Sequence, residues 1–430
     1  MFNPNYLNME IDFSKASFKD FENVSGMDAW KRADLFKDYL DYLNNKGYLN
    51  YRLVSTTGCG PEMEIITDKN EKPKSLVSFV SNDYLGFTQH PKIKEAVIEG
   101  IRQYGTGAGA SPAFGGQFSY HEQLENKIAS FFNRDSAIIY TTGYTANSAT
   151  LMSLLQKEDI AIVDMPVHAR VYEGCQSTNL KVFLHNRLDI LEKVLKESQS
   201  KYRTKMVIVD GVYSQDGDMA PLDKILELCR HYGAYLCVDD AHGVGVIGET
   251  GRGAMEKYGV TNEVDIITGT FSKTFANVGG YVIADPNLIS FLKYQSRQHL
   301  FSATSTPAAA GILKGIDLLD EEPQWKDKLW DNINYFKSGL TELGMDIGNT
   351  ESAIIPVKIG DAATTGEAGR LLLKAGVYCN PIIYPAVSKK NARIRMSVMA
   401  THTKEQLDKA LNAFEYADQK LHISKSLSNL

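Results

Sequence analysis

The central part of the chain alternates short apolar runs with segments whose apolar residues recur every three or four positions. Between residues 136 and 285 this pattern predicts strands separated by helices such as "LDILEKVLKES" and "PLDKILELCRHYG". Such alternation is typical of a mostly parallel sheet with helices on both faces, so we expect an α/β fold. The seven predicted strands are "SAIIYTTG", "DIAIVD", "KVFLHN", "KMVIVDGV", "AYLCVDD", "VDIITGT" and "GGYVIAD".

The flanking regions follow other patterns. Residues 28–47 predict an amphipathic helix that ends at Gly47, and a helical stretch lies near 307–343. Beyond it, "SAIIPVKIG", "GVYCNPIIYP" and "ARIRMSVM" alternate with helical stretches near 365–375 and 403–422, as in a smaller α+β domain. We predict three units: an N-terminal helical or extended segment at 1–75, a large domain at 76–320 and a small C-terminal α+β domain at 321–430.

Composition argues against several classes of protein. The 430 residues carry a formal charge of −6, which gives no basic surface for nucleic acid. No apolar run reaches the length of a membrane-spanning helix, and the start "MFNPNYLNMEIDFSK" lacks the features of a secretory signal. The five cysteines are scattered and form no CxxC pair, which argues against disulfides or a zinc cluster. We expect a cytoplasmic enzyme without a metal.

One glycine-rich motif matches a dinucleotide-binding fingerprint but is not followed by the helix that the fingerprint requires. "GVGVIG", at 243–248, matches GxGxxG, yet "ETGRG" follows it where a helix should open. We interpret the motif as a turn.

Five loops at predicted strand ends carry chemistry. "YTTGYTAN" opens a helix at Gly143 and Tyr144, whose free amides suit a phosphate, although an ordinary capped helix has the same sequence pattern. "VDDAHG" places Asp239 and His242 at a strand end, where a helix cap or a buried salt bridge would also explain the acid. "DGVYSQDGD" offers the hydroxyl of Ser214.

The remaining loops supply an imidazole and an amine. "DMPVHARVYEG" contains His168, which taken alone is a structural residue by default. "TGTFSK" sets Thr270 and Ser272 beside Lys273, and an amine shielded from water is a nucleophile toward aldehydes. Together, an acid, a ring, phosphate donors and a lysine on successive strand ends are the components of a pyridoxal phosphate (PLP) site.

The chain resembles the α-oxoamine synthases, a family of fold-type-I PLP enzymes that includes serine palmitoyltransferase. The resemblance runs from about Arg52 to His402. It rests on the stretches "SNDYLGF", "YGTGAGAS", "HEQLE", "TTGYTAN", "VHARVYEG", "DGVYSQDGD", "VDDAHGVG", "GTFSK", "FSATSTP" and "ARIRMSVMATHT".

The resemblance implies roles for residues around the cofactor. Lys273 matches the lysine that binds the cofactor's aldehyde, Asp239 the partner of the ring nitrogen and His168 the imidazole stacked on the ring. His242 and Ser214 fall where the family contacts the phenolic oxygen of the ring. The residues matching the phosphate cup are Gly143, Tyr144, Thr270 and Ser272.

The resemblance also implies substrate contacts and a partner. Arg395 fits the residue that holds the amino acid's carboxylate, Asn82 assists, and Arg52 lies where some relatives contact the acyl thioester. Ser302 corresponds to a stretch that reaches the neighbouring subunit's phosphate, which implies a homodimer with shared sites.

The implied reaction is a decarboxylative condensation of an amino acid with an acyl thioester, carried on coenzyme A or a carrier protein, which gives a 2-amino ketone. "TFSK" is closer to serine palmitoyltransferases than the "TLGK" of other members, so we expect a long-chain base of a sphingolipid-like pathway, made from serine or an analogue such as cysteate. The alternatives are a short-chain synthase, such as aminooxononanoate synthase or aminoketobutyrate ligase, a same-fold aminotransferase, and a subunit without activity.

The sequence departs from the family pattern at several points. Asp240 replaces the usual glutamate after Asp239, and "FSATSTP" lacks a second proline. The glycine-rich loop carries Pro112, Phe114 and Gln117 in place of the arginine or "GT" often found there. Because that loop lies near the substrate in the family, the amino acid or the acyl group could be unusual.

Overall fold

The N-terminal region forms a helix followed by a small antiparallel sheet. The computed structural model describes residues 11–67 and 72–424. Helix α1 (Ala29–Lys46) begins at Asp28, whose carboxylate accepts two backbone N–H bonds at 3.0 Å, and ends at Gly47 in the left-handed conformation. The predicted helix is thereby confirmed. Strands β1 (Val54–Ser55), β2 (Glu62–Ile66) and β3 (Lys74–Ser78) follow in antiparallel order.

A seven-stranded sheet forms the centre of the molecule and confirms the α/β fold. Its order is β4-β10-β9-β8-β7-β5-β6, and every neighbouring pair is parallel except those of β10. All residues of β5, β7 and β9 are buried, because helices cover both faces. Each predicted strand is present: β4 (Ala137–Tyr140), β5 (Ile160–Asp164), β6 (Asn179–Phe183), β7 (Lys205–Asp210), β8 (Tyr235–Asp239), β9 (Ile266–Thr270) and β10 (Gly280–Ile283).

Nine helices accompany this sheet in the described part of the chain. The two predicted by apolar spacing, α6 and α7, are found within two residues of the expected limits. The nine are α2 (Pro91–Tyr104), α3 (Ser119–Phe131), α4 (Gly143–Leu154), α5 (Ala169–Gly174), α6 (Leu188–Ser198), α7 (Leu222–His231), α8 (Ala254–Lys257), α9 (Pro286–Gln295) and α10 (Arg297–Leu300).

The C-terminal region begins with two helices and continues into a three-stranded sheet. The helical stretch predicted near 307–343 is broken at Pro323, because proline cannot supply the N–H that a continuous helix needs. The sheet order is β11-β14-β13, and β12 instead pairs in parallel with β3. The elements are α11 (Ala310–Glu321), α12 (Gln324–Glu342), β11 (Ile354–Gly360), α13 (Ala362–Lys374), β12 (Val377–Tyr378), β13 (Asn380–Ile382), β14 (Ala392–Ser397) and α14 (Lys404–Leu421).

The domain limits at 75 and 320 stay predictions, and strand β3 crosses the first of them. The 243–248 motif forms turns instead of a helix start, as expected. None of the helices in the described residues is both long and apolar enough to span a bilayer.

Candidate active site

The carboxylate of Asp239 lies at the carboxyl end of the central sheet. Asp239 is the last residue of β8 and is 1% exposed. Its oxygens accept bonds from the Asn147 amide and the Ala241 backbone N–H, both at 3.2 Å, and it forms an ion pair with Arg170. A buried carboxylate needs such partners because losing hydration is costly. A buried salt bridge, one of the two structural explanations that the sequence allowed for Asp239, is therefore present.

Lys273 follows β9, in the turn beside Asp239. Its side chain is half-buried, and within the described chain no acidic group forms an ion pair with its amine. Burial, reinforced by the positive charge of Arg170, lowers the pKa of Lys273 to about 7. A large share of the amine is therefore neutral near physiological pH, as a nucleophile must be.

The imidazole of His168 stands at the start of α5. Its Nδ1 accepts the Arg170 backbone N–H at 3.3 Å, and its ring meets the exposed Tyr144 ring edge-on at 6.2 Å between centroids. Burial and the Arg170 charge lower the pKa of His168 to about 4, so the ring is neutral at pH 7. The Tyr144 hydroxyl donates to Glu173.

The start of helix α4 forms an anion-binding corner against β9. The Thr142 hydroxyl caps the helix by accepting the Thr145 N–H at 3.0 Å. The Thr270 hydroxyl donates to the Gly279 carbonyl at 2.9 Å and accepts the Ser272 N–H at 3.1 Å. A Cβ on Gly143 would lie 2.7 Å from the Thr270 Cβ, so the approach of helix to strand requires glycine. The unpaired amides of such a helix end attract phosphate.

A buried cation closes the other side of the site. The Arg395 guanidinium, on β14, donates to the Ser214 carbonyl at 2.6 Å and to the Asn82 side chain at 3.1 Å. The Tyr84 hydroxyl bonds to His242 Nδ1 at 2.6 Å and donates to the Asn82 side chain at 3.2 Å. Burial, with the charges of Lys273 and Arg395, holds the pKa of His242 well below its usual range. Hydrogen bonds thus link Arg395 to Asn82 and Ser214, and Tyr84 joins Asn82 to His242.

Two other predicted residues, Ser302 and Arg52, are not part of this hydrogen-bonded cluster. Ser302 is exposed in the segment after α10. Arg52 lines a groove of about 1000 Å³ between the β1–β3 sheet and α13. Their proposed contacts stay predictions.

Comparisons with known proteins identify the family. Residues 74–414 match the family "Aminotransferase class I and II". The 8-amino-7-oxononanoate synthase of Alkaliphilus metalliredigens is 40% identical, covering 90% of this chain and 97% of that protein. The 8-amino-7-oxononanoate synthase 1 of Bacillus subtilis is 39% identical, covering 81% of this chain and 90% of that protein. A serine palmitoyltransferase from S. paucimobilis, solved with PLP and myriocin, superimposes with a TM-score of 0.87 at 28% identity, covering 92% of this chain and 100% of that one.

The chain belongs to the α-oxoamine synthases. It has the fold-type-I architecture of PLP transferases, and PLP is the cofactor of this α-oxoamine synthase. The site fits that group. The helix corner at Gly143 offers amides to a phosphate, and two buried polar atoms in the pocket, Arg170 Nε and Asp210 Oδ1, have no hydrogen-bond partner.

Sequence reasoning missed three residues of the synthase site: Arg170, Asn147 and Tyr84. Asn147 lies one helical turn after Gly143, and Tyr84 lies in the "SNDYLGF" stretch, so both were within quoted motifs. Arg170 is two residues after His168 in "VHARVYEG". A charged residue among apolar neighbours there was the available signal.

Proposed function

We propose that the protein condenses an amino acid with an acyl thioester, with loss of carbon dioxide, to give a 2-amino ketone. The observation that carries the proposal is the position of the Arg395 cation. It is buried, is held by Asn82 and the Ser214 backbone, and is close enough to influence both Lys273 and His242. A cation fixed beside a neutral amine suits an α-amino acid, whose carboxylate and Cα must be held together.

Each residue has a distinct task in this proposal. Arg395 binds the carboxylate of the amino acid and orients its Cα toward Lys273, whose neutral amine accepts the α-proton. Neutral His168 offers a flat ring surface, and Asp239 stabilises a proton on the cofactor's ring nitrogen. Bound PLP supplies an electron sink for the negative charge that develops at Cα.

The first substrate candidates come from the names of the relatives. Reversing such a condensation on 8-amino-7-oxononanoate, with the lost carbon dioxide and the thiol restored, gives alanine and the thioester of a dicarboxylic acid. The groove at Arg52 supports an acyl group that ends in a carboxylate, because Lys374 also lines it, whereas Arg370 on the same groove is paired with Glu367. This is the short-chain alternative, which the relatives found by sequence favour over the long-chain base.

A second candidate is the condensation of serine or cysteate with a fatty acyl thioester. It is supported by the TM-score of 0.87 to a serine palmitoyltransferase and by the "TFSK" motif. The relatives found by sequence give no support to the sphingolipid-like pathway.

A substrate matrix tests the proposal. Purified protein loaded with PLP is incubated with alanine, serine, glycine or cysteate against thioesters of a dicarboxylic acid and of a fatty acid, on coenzyme A and on a carrier protein. Mass spectrometry of the products is expected to find an amino ketone from alanine and the dicarboxylic thioester. A fatty product from serine or cysteate would favour the second candidate. Turnover with a keto acid and no thioester would replace both candidates with an aminotransferase.

We also propose that the protein acts as a homodimer with shared sites. Phe301, next to Ser302 in the chain, is 60% exposed, and the apolar side chains of Phe114 and Val278 are 77% and 63% exposed. An apolar surface of this kind at the rim of a site is typical of a protein interface. Light scattering is expected to give twice the chain mass of 47.8 kDa. A monomer with full activity would contradict shared sites.

A further inference from the structure

Arg170 brings a permanent charge into the pocket. Its side chain enters from the first turn of α5, directly after His168, and the residue is 7% exposed. One guanidinium nitrogen donates to Asp239 Oδ2, and Nε has no partner. A guanidinium is rarely buried without a carboxylate to balance it, since its hydration is lost. Here the balancing group is the acid already assigned to the cofactor's ring nitrogen.

A second carboxylate stands beside this pair. Asp210 and Asp239 are register partners on β7 and β8, so their side chains leave the same face of the sheet. Asp210 is buried and its Oδ1 has no partner. Burial, together with the Asp239 charge, raises the pKa of Asp210 well above its usual range. Because its raised pKa favours a protonated Asp210, Asp239 is the acid that carries the negative charge opposite Arg170.

The guanidinium also acts on the lysine. It pairs with Asp239, whose register partner on β9 is Thr268, and Lys273 follows that strand. After burial, the Arg170 charge is the strongest influence that lowers the pKa of Lys273. The charged or titratable groups that interact with the Lys273 amine are Arg170 on α5, Asp239 on β8, Asp210 on β7, Arg395 on β14, and His168, Asp240 and His242 in the loops. Among the cations in this set, Arg170 has a larger effect than Arg395.

We propose that Arg170 is a positioning residue of the cofactor pocket: it fixes the Asp239 carboxylate toward the ring nitrogen and places a positive charge beside the Lys273 amine. The inference rests on the proposed function for its purpose, but its electrostatic part concerns the protein alone. An arginine suits both tasks, because its planar guanidinium stays charged when buried and can hold a carboxylate in one orientation.

The first test uses the apoprotein, so that it stands even if the proposed reaction is wrong. Reaction of Lys273 with a trace of acetic anhydride is followed across pH by mass spectrometry, which gives the midpoint at which the amine becomes reactive. R170Q and R170M both remove the charge with different side-chain shapes, whereas R170K keeps it. We expect the midpoint to rise by about one pH unit in R170Q and R170M, and by less than half of that in R170K.

A matched control and a folding check accompany these variants. R187Q removes an exposed arginine whose only described ion pair is with Asp189, and it is expected to leave the Lys273 midpoint unchanged. Thermal melts show whether R170Q and R170M are folded. One folded variant of the two is enough to measure how loss of the charge changes the Lys273 midpoint. A folded R170Q or R170M protein with the wild-type midpoint would falsify the electrostatic role.

The second test examines the positioning of Asp239 and uses added PLP. We expect R170Q to bind PLP about tenfold more weakly by equilibrium dialysis, and the pH dependence of the bound cofactor's visible absorbance to shift. Tighter binding of PLP in R170Q would overturn the proposal, because it would mean that the guanidinium occupies space the ring needs. If the wild-type protein bound no PLP, the proposed function would fail. The pH midpoint of Lys273 acetylation would still show whether the Arg170 charge lowers the pKa of the lysine.

Discussion

Replacing Lys273 with alanine is expected to reduce amino ketone formation by a factor on the order of 10³ or more. The amine is the only lysine nitrogen placed among Asp239, Arg170 and Arg395 in the described chain, so no other lysine there can replace it. Product formation measured by mass spectrometry at saturating substrate, with PLP added, tests this. Below the Lys273 pKa of about 7 the amine gains a proton, so the wild-type rate of PLP capture is expected to fall as pH decreases through that value.

Lys257→Ala serves as the matched control. Lys257 is a partly exposed lysine paired with Glu351 at 3.0 Å, and its loss is expected to leave turnover unchanged. Comparable melting temperatures for the two variants would show that the K273A defect is chemical. Undiminished turnover by K273A would remove the basis of the proposed mechanism.

The second large effect is expected for Asp239→Asn, with a loss of turnover of about 10²- to 10³-fold. The amide keeps the shape of the side chain and can still accept hydrogen bonds from Arg170 and Asn147, but it has no charge to stabilise a proton on the ring nitrogen. Without that proton the cofactor withdraws electrons from Cα less strongly. Steady-state kinetics and the PLP dissociation constant measure the two consequences separately.

This substitution also leaves the Arg170 guanidinium without its counter-charge, so some loss of stability is expected. Asp189→Asn, which removes an exposed acid that pairs with Arg187, provides the control for charge loss alone. If D239N melted at a lower temperature yet retained full turnover, Asp239 would be a structural acid and its assigned role would be wrong.

Regular elements were predictable because their signals are local. Each strand of the central sheet is an apolar run bounded by turn residues, and α6 was predicted from apolar spacing alone. The N-terminal sheet was not predicted, since β1 has two residues and the strands β2 and β3 carry exposed polar positions. Pro323 was a local signal that separates α11 from α12 and was overlooked.

The residues of the site were predictable where they lie at predicted strand ends or within family motifs. Lys273, Asp239 and His168 were found from strand ends and family motifs, and the structure brings them into one pocket. Arg170 was not found, because the direction of its side chain depends on a partner 69 positions away in the sequence. Long-range ion pairs of this kind leave no periodic pattern. The groove that Arg52 lines depends likewise on packing between distant segments.

Strand β12 joins the two ends of the chain into one sheet. It comes from the C-terminal region, yet it pairs in parallel with β3, through Val377 opposite Val77 and Tyr378 opposite Ser78. An N-terminal segment exchanged between relatives would therefore have to match a strand encoded about 300 residues later. Chimeras designed to test the proposed acyl contact of the Arg52 groove should transplant β12 together with β1–β3, since a cut at either side alone leaves an unpaired sheet edge.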